Sequence, residues 1–179
     1  MDIYKLNFTI LELEIFSFLS MKAEEQLSQR DIAKALNVSP TAVANAVKNL
    51  TAKNLLKVEK TKTINFVSFN RDNPKAIDLK RIENLKMIYL SELADFLEEK
   101  LAGGTIILFG SYSRGEDTKT SDIDIAVIGR NNKQLNLEPY EKILNREINI
   151  NFYDSWKSIH RHLKNNVLNG IILQGSVEL

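Results

Sequence analysis

Two short motifs in the second half of the chain hold residue types that suit phosphate and metal chemistry. Gly110-Ser111 follows the apolar run Ile106–Phe109, and Asp122 and Asp124 follow after an interval of ten residues. Glycine lets the backbone turn sharply and approach a phosphate closely, and a serine that opens a helix presents a hydroxyl and free N–H groups to it. Two carboxylates two residues apart on a strand project from the same face, and such oxygen ligands suit Mg²⁺ bridged to phosphate. The motifs therefore predict a site for a nucleotide and its Mg²⁺.

The combination of an apolar strand, a Gly-Ser turn, a polar spacer and paired acids resembles the signature of the polymerase-beta-like nucleotidyltransferase superfamily in its minimal single-domain form. The resemblance runs from about Leu90 to the C-terminus. It implies transfer of a nucleoside monophosphate from a nucleoside triphosphate, with ATP expected, to a hydroxyl acceptor. It also implies catalytic and metal-binding roles for Asp122 and Asp124. Minimal members often act with a HEPN-domain partner that they adenylylate, so the resemblance implies a HEPN-type partner protein.

The position of the family's third carboxylate is occupied in this chain by Asn149. An amide oxygen can ligate Mg²⁺, but it cannot take a proton from the attacking hydroxyl. Glu147, two residues earlier on the same predicted strand, is the candidate catalytic replacement, and Asp154 on the neighbouring loop is the second candidate. Two functions follow as alternatives. One is an active nucleotidyltransferase, and the other is a transcription regulator whose degenerate site only binds nucleotide or metal as a sensor.

Arg114 follows the Gly-Ser turn and is, together with Gly110 and Ser111, a candidate nucleotide-binding residue. Its guanidinium can pair with a phosphate, or it can brace the loop by pairing with Glu116 or Asp117. The sequence favours neither role over the other.

Basic residues are concentrated in the first half of the chain. Between Leu27 and Arg71 there are eight basic and two acidic residues, a local charge of +6 in a chain whose total is +1. Such a segment indicates either an electrostatic footprint for nucleic acid or a solvated basic face. The secondary structure predicted for this segment distinguishes a nucleic-acid-binding surface from a solvated basic face.

The same segment carries the start signals of two helices and a hairpin. Ser28 with an acid three residues later is typical of a capping box, and Ser39 before Pro40 is typical of a helix start. Two apolar runs, Leu55–Glu59 and Ile64–Phe69, flank a polar tip and predict a hairpin. An apolar helix around Ile10–Leu19 precedes them. The order is therefore three helices followed by a basic hairpin.

This order resembles winged-helix regulators of the MarR type over about the first seventy residues. The resemblance implies that the third helix enters the major groove of duplex DNA and that the wing follows the backbone or minor groove. The alternatives are a winged helix that binds protein and one that only packs internally. The candidate DNA-binding residues are Thr41, Asn45, Lys48 and Asn49 on the third helix and Lys60 and Lys62 in the wing. Binding to an inverted repeat as a homodimer is the expected arrangement.

The predicted fold class is α+β, with a winged helix domain over 1–73 and a small mixed α/β nucleotidyltransferase domain over 74–179. The second domain is predicted to begin with one long lead helix over 74–102, because apolar residues recur at steps of three and four as far as Gly103-Gly104. The chain has no cysteine and no apolar run near the roughly 20 residues that span a bilayer. We therefore expect a cytoplasmic protein without membrane contact.

Overall fold

The structure is a computed structural model in which residues 8–177 are described. The chain divides into two compact units, one that ends at Lys80 and one that begins at Arg81. The predicted boundary between 73 and 74 lies at the start of the helix that contains this division. Each unit is described below by itself.

The helices of the first unit are α1 (Ile10–Met21), α2 (Gln29–Ala35) and α3 (Pro40–Ala52). Their starts follow from polar caps that satisfy backbone N–H groups left free in a first helical turn. The Ser28 hydroxyl accepts from the Asp31 N–H at 3.2 Å, and the Ser39 hydroxyl accepts from the Ala42 N–H at 3.2 Å. The two helix starts predicted from the sequence at these serines are therefore confirmed.

The sheet of the first unit is antiparallel and has the order β1-β3-β2, from β1 (Leu27–Ser28), β2 (Leu56–Lys60) and β3 (Asn65–Phe69). The wing turn between β2 and β3 is closed by the Thr61 N–H, which donates to the Ile64 carbonyl at 2.9 Å. The short strand β1 carries too few residues to show an alternating pattern, and sequence analysis missed it. The core of this unit is built from buried aliphatic and aromatic side chains: Ile15, Phe16, Leu19, Ile32, Val43, Val47, Leu50, Leu56, Val67 and Phe69.

The predicted lead helix over 74–102 is instead two helices, α4 (Pro74–Leu90) and α5 (Leu93–Lys100). Glu92 between them has a φ of 63°, in the left-handed region, so a continuous helix cannot pass through it. The Ser91 hydroxyl donates to the Ile88 carbonyl at 3.1 Å and helps to end α4. The break lets α5 bury Leu93 and Leu97, which are both 0% exposed.

The second unit is a mixed sheet with strand order β6-β5-β4-β7, from β4 (Thr105–Phe109), β5 (Ile123–Ile128), β6 (Ile148–Tyr153) and β7 (Ile171–Gln174). Strands β5 and β6 are parallel, while β4 is antiparallel to both of its neighbours. The remaining helices are α6 (Gly110–Arg114), α7 (Glu138–Leu144) and α8 (Arg161–Leu168). Before α8, Ser155–Ser158 forms a turn in which the Ser158 hydroxyl donates to the Ser155 carbonyl at 2.7 Å.

The two faces of this sheet pack against different partners. One face carries Ile106, Leu108, Ile125 and Val127 and packs with Leu93 and Leu97 of α5. The other carries Ile107, Phe109, Ala126 and Ile128 and packs with Ile159 and with Val167 of α8. Because side chains alternate along a strand, Asp124 lies on the second face, the one that Ala126 and Ile128 also occupy.

Among residues 8–177, the structure contains no helix that combines the length and the apolar character needed to cross a bilayer.

Candidate functional site

The paired aspartates lie where the strands of the second sheet begin or end, next to the end of β4 and the start of β6. Asp122 lies in the loop directly before β5, and Asp124 is the second residue of β5. Asp124 is in register with Phe109 on one side and with Asn149 on the other. The Asn149 amide donates to Asp122 Oδ2 at 3.0 Å. The structure therefore brings Asp122, Asp124 and Asn149 together.

Gly110 lies against one of these carboxylates. Its φ is +77°, and a Cβ built at this position would stand 2.4 Å from Asp124 Oδ2. A left-handed φ favours glycine, and the close approach leaves no room for a side chain. The Gly-Ser turn and the Asp124 carboxylate thus line the same small space.

The electrostatics of the pair favour a cation. Loss of solvent around the half-buried Asp124 raises the pKa of its carboxyl, and the charge of Asp122 raises that pKa further, while Arg114 acts in the opposite direction. A positive ion between the two carboxylates would offset the repulsion that Asp122 exerts on Asp124. The donor set of two carboxylates and one amide consists of hard oxygen ligands of the kind that Mg²⁺ takes.

Ser111 and Arg114 lie in α6, which directly follows Gly110. Ser111 is half-buried. The Arg114 Nε donates to Glu116 Oε2 at 2.7 Å in an exposed ion pair. Of the two roles considered for Arg114, the structure therefore contains the loop-bracing pair. Because α6 has only five residues, its helix dipole adds little to phosphate binding.

Neither candidate for a third carboxylate joins the aspartate pair. Glu147 is exposed just before β6; its carbonyl accepts from the Ile123 N–H at 2.8 Å, and its side chain lines a surface depression with Glu138 and Glu141. Asp154 follows the far end of β6. Within the part of the chain that the structure describes, no group of three or more His, Cys, Asp or Glu side chains is placed to hold a metal ion. Asn149 is thus the residue beside Asp122 and Asp124.

A buried polar network that sequence analysis missed supports the loop between α6 and β5. Asp117 is 2% exposed. Its Oδ1 accepts from the Asn84 amide at 2.7 Å, and its Oδ2 lies 3.5 Å from the guanidinium of Arg146. Arg146 also donates to the carbonyl of Lys119 at 2.8 Å. These contacts fix the spacer that leads into Asp122.

Tyr112 completes this network. The Asn84 amide donates to its carbonyl at 2.8 Å. Burial raises the pKa of the Tyr112 hydroxyl, and the charge of Asp117 raises it further. The hydroxyl is therefore a neutral structural group. Of the residues in this network, the sequence indicates only Asp117, as a possible partner for Arg114. Local patterns in a sequence do not reveal contacts between residues that are far apart in the chain.

Most of the candidate DNA-binding residues lie on the surface of the first unit. Thr41, Asn45 and Lys48 are exposed on α3, and Lys60 and Lys62 are exposed at the end of β2 and in the wing turn. Asn49, the sixth candidate, is exposed on α3 as well, and it also makes a hydrogen bond within the unit.

The Asn49 amide donates to Glu12 Oε1 of α1 at 2.7 Å. Its amide group is therefore engaged inside the unit, because a buried carboxylate requires a donor. Asn49 is itself exposed on α3, and its assignment as a DNA-contacting residue stays a prediction.

Comparison with known proteins agrees with both halves of this description. The nucleotidyltransferase domain family matches residues 90–173, and the MarR family matches residues 6–63. A protein of Methanocaldococcus jannaschii that is named as a protein adenylyltransferase is 40% identical over 67 residues, which cover 35% of this chain and 69% of that protein. The chain belongs to the nucleotidyltransferase domain family and carries a MarR-family DNA-binding domain in front of the nucleotidyltransferase domain.

Two mutants of ZitR from Lactococcus lactis are structural neighbours. Each is 21% identical, with TM-scores of 0.41 and 0.42. The alignments cover 56% and 57% of this chain, and this chain spans 64% and 68% of the two ZitR chains.

Proposed function

We propose that the second unit transfers a nucleoside monophosphate from ATP to a hydroxyl acceptor, and that the first unit binds duplex DNA. The observation that carries the transferase proposal is the contact of the Gly110 turn with Asp124, beside Asp122 and Asn149. A glycine turn for phosphate next to paired carboxylates for a cation is the arrangement that nucleotidyl transfer requires.

Nucleotidyltransferase domains generally use a divalent metal, and we propose Mg²⁺ here. Asp122, Asp124 and the amide oxygen of Asn149 would hold it. When bound, Mg²⁺ offsets the negative charge that develops on the transferred phosphoryl group. The N–H that Asn149 donates to Asp122 Oδ2 fixes the orientation of that carboxylate.

The residues around Gly110 would hold the triphosphate. The Gly110 backbone allows phosphate oxygens to come close, and the Ser111 hydroxyl can donate to one of them. Arg114 follows on the same helix, and in the nucleotide complex it would exchange Glu116 for a phosphate, with which a guanidinium can form two parallel hydrogen bonds. Glu147 would need to turn toward the pair in order to act as a base.

The acceptor that we propose is a hydroxyl of a partner protein, with a HEPN-domain protein as the first candidate. The name of the archaeal relative supports a protein acceptor. The test is incubation with α-labelled ATP, MgCl₂ and the candidate partner. The matched control is the variant Asp122→Asn with Asp124→Asn. Transfer of label by the wild type but not by the double variant supports the proposal. If no protein, nucleic acid or small alcohol becomes labelled, the proposal is wrong.

A second function, that of a nucleotide or metal sensor which regulates DNA binding, is favoured by one observation. Asn149 occupies the position of the third carboxylate, which would take the proton of the attacking hydroxyl. Its amide already donates to Asp122. The test compares MgATP binding and turnover in the wild type and in Asn149→Asp. Binding without turnover in the wild type, with turnover gained in the variant, supports the sensor. If neither protein binds MgATP, the transferase and the sensor both fail.

For the first unit we propose binding to an inverted repeat as a homodimer, with Thr41, Asn45 and Lys48 in the major groove and the wing lysines on phosphate. The test is a gel shift with the full chain at low salt, followed by sedimentation of the complex to count protomers. A chain that shifts no duplex at low salt does not read DNA.

A further inference from the structure

A carboxylate is buried inside the DNA-binding unit, where burial is costly. Glu12 of α1 is 3% exposed. Its Oε2 accepts from the Thr9 N–H at 2.8 Å and so caps α1. Its Oε1 accepts from the amide of the exposed residue Asn49, across to α3, at 2.7 Å. Lys53 Nζ, beyond the end of α3, lies 3.7 Å from Oε2.

The group is held in its ionised form. Burial acts to raise the pKa of the Glu12 carboxyl, but the bonds from the Thr9 backbone, Asn49 and Lys53 outweigh burial, and the pKa lies below its usual value. Hydrogen bonds to a charged group are shorter and roughly twice as strong as neutral ones. A helix cap needs only one of the two carboxylate oxygens. The second oxygen therefore serves the link to α3.

The link constrains the recognition helix in a way that its apolar packing does not. Val43 and Val47 bury the inner side of α3, and such contacts tolerate small rotations because they have no direction. A hydrogen bond at a single position sets both rotation about the helix axis and displacement along it. Asn45 and Asn49 are one turn apart on the same face. Fixing Asn49 therefore fixes the direction in which Asn45 points.

We propose that Glu12 and Asn49 are positioning residues for DNA recognition, whose hydrogen bond holds α3 in the one orientation that presents Thr41, Asn45 and Lys48 together to the major groove. In this proposal the pair acts through the orientation of α3. It acts on the choice among sequences rather than on attraction to phosphate, which the exposed wing lysines supply. The proposal rests on DNA binding by the first unit.

The test reverses the direction of the hydrogen bond in the full-length chain. Asn49→Asp sets two carboxylates against each other and breaks the link. Glu12→Gln combined with Asn49→Asp restores a bond with donor and acceptor exchanged, and the new amide oxygen still accepts from the Thr9 N–H. Glu12→Gln alone keeps a bond if the Asn49 amide turns over, and it is the conservative variant.

The readout is the ratio of affinities for two fluorescent probes, a duplex selected by the wild type from a random library and a random-sequence duplex of equal length. We expect Asn49→Asp to lower this ratio about tenfold, the size of one charge-assisted hydrogen bond, and the reversed pair to restore most of it. Ala52→Asp is the charge control, because Ala52 is an exposed residue of the same helix. It should weaken both probes alike.

A ratio that stays within twofold of wild type in Asn49→Asp would overturn the proposal. So would a reversed pair that melts like wild type but does not regain selectivity. Should Asn49→Asp fail to fold, Asn49→Ala removes the bond without the repulsion, and an unchanged ratio in that variant has the same meaning. A wild type that binds neither probe removes the proposed DNA binding itself, a result that the selection step reveals before any variant is made.

Discussion

Replacement of Gly110 by alanine tests whether the Gly-Ser turn and Asp124 form one nucleotide site. The new Cβ would stand 2.4 Å from Asp124 Oδ2, where ordinary contact begins at 3.4 Å, so the carboxylate must retreat by about 1 Å. A misplacement of about 1 Å in a reacting constellation costs on the order of 100-fold. We therefore expect MgATP binding to weaken by that order.

The same change also strains the backbone. A Cβ in the left-handed region costs about 1–2 kcal/mol, which lowers the melting temperature of a unit of this size by roughly 4–8 °C for each kcal/mol. Gly129 supplies the matched control. Its φ is +81°, and a Cβ built there meets no atom within 4 Å. Gly129→Ala thus carries the strain without displacing Asp124.

The assay is thermal unfolding of the second unit with and without MgATP. At a ligand concentration about 100 times the dissociation constant, binding stabilises wild type by about 2.7 kcal/mol, and a 100-fold loss of affinity leaves about 0.4 kcal/mol at that concentration. Gly129→Ala should keep the full MgATP shift from a lower starting temperature, and Gly110→Ala should lose nearly all of it. Equal MgATP shifts in the two variants would show that the nucleotide lies elsewhere.

Three further predictions follow from charges described above. Because the pKa of the Asp124 carboxyl is raised in the folded protein, the metal-free chain loses stability as pH rises from the usual aspartate range through that raised pKa; melting curves across pH should flatten in Asp124→Asn, and an unchanged slope counts against the raised pKa. Asp117→Ala leaves the buried Arg146 guanidinium without its carboxylate and should cost about 3–5 kcal/mol in urea unfolding; a loss below about 1 kcal/mol, the worth of an exposed pair, would mean that the network is not structural. Lys60→Ala with Lys62→Ala should weaken binding to all duplexes alike and reduce the slope of log affinity against log salt by about 1.8, whereas a sequence-dependent loss would place these lysines on bases.

The features that could be predicted from the sequence are those with local causes. Helix starts can be predicted at Ser28 and at Ser39-Pro40, because each depends on groups close by in the chain. The Gly-Ser turn before the paired aspartates identifies the second domain. The MarR and nucleotidyltransferase assignments and the α+β class are confirmed. The roles of individual site residues stay predictions.

The features that could not be predicted depend on contacts between distant residues. The apolar period runs through Ser91 and Glu92 without a glycine or proline, so only the packing of α5 on the sheet reveals the break. The hydrogen bond from Asn49 to Glu12 could not be predicted, because the spacing of residues along α3 says nothing of a residue 37 positions earlier. The ion pair between Arg146 and Asp117 likewise joins residues that are 29 positions apart in the chain.

The order of strands in the second sheet has a consequence for folding kinetics. β4 lies between β5 and β7, and its pairing with β7 joins Leu108 to Ile171. β2 and β3 of the first unit meet across one short turn. Distant pairings fold more slowly because the entropy of loop closure must be overcome before the contacts form. Pulse-labelled hydrogen exchange during refolding should therefore protect β2 and β3 before β4, and the reverse order would contradict this. During synthesis on the ribosome, the first unit can therefore fold before β7, the last strand of the second sheet, has been synthesised.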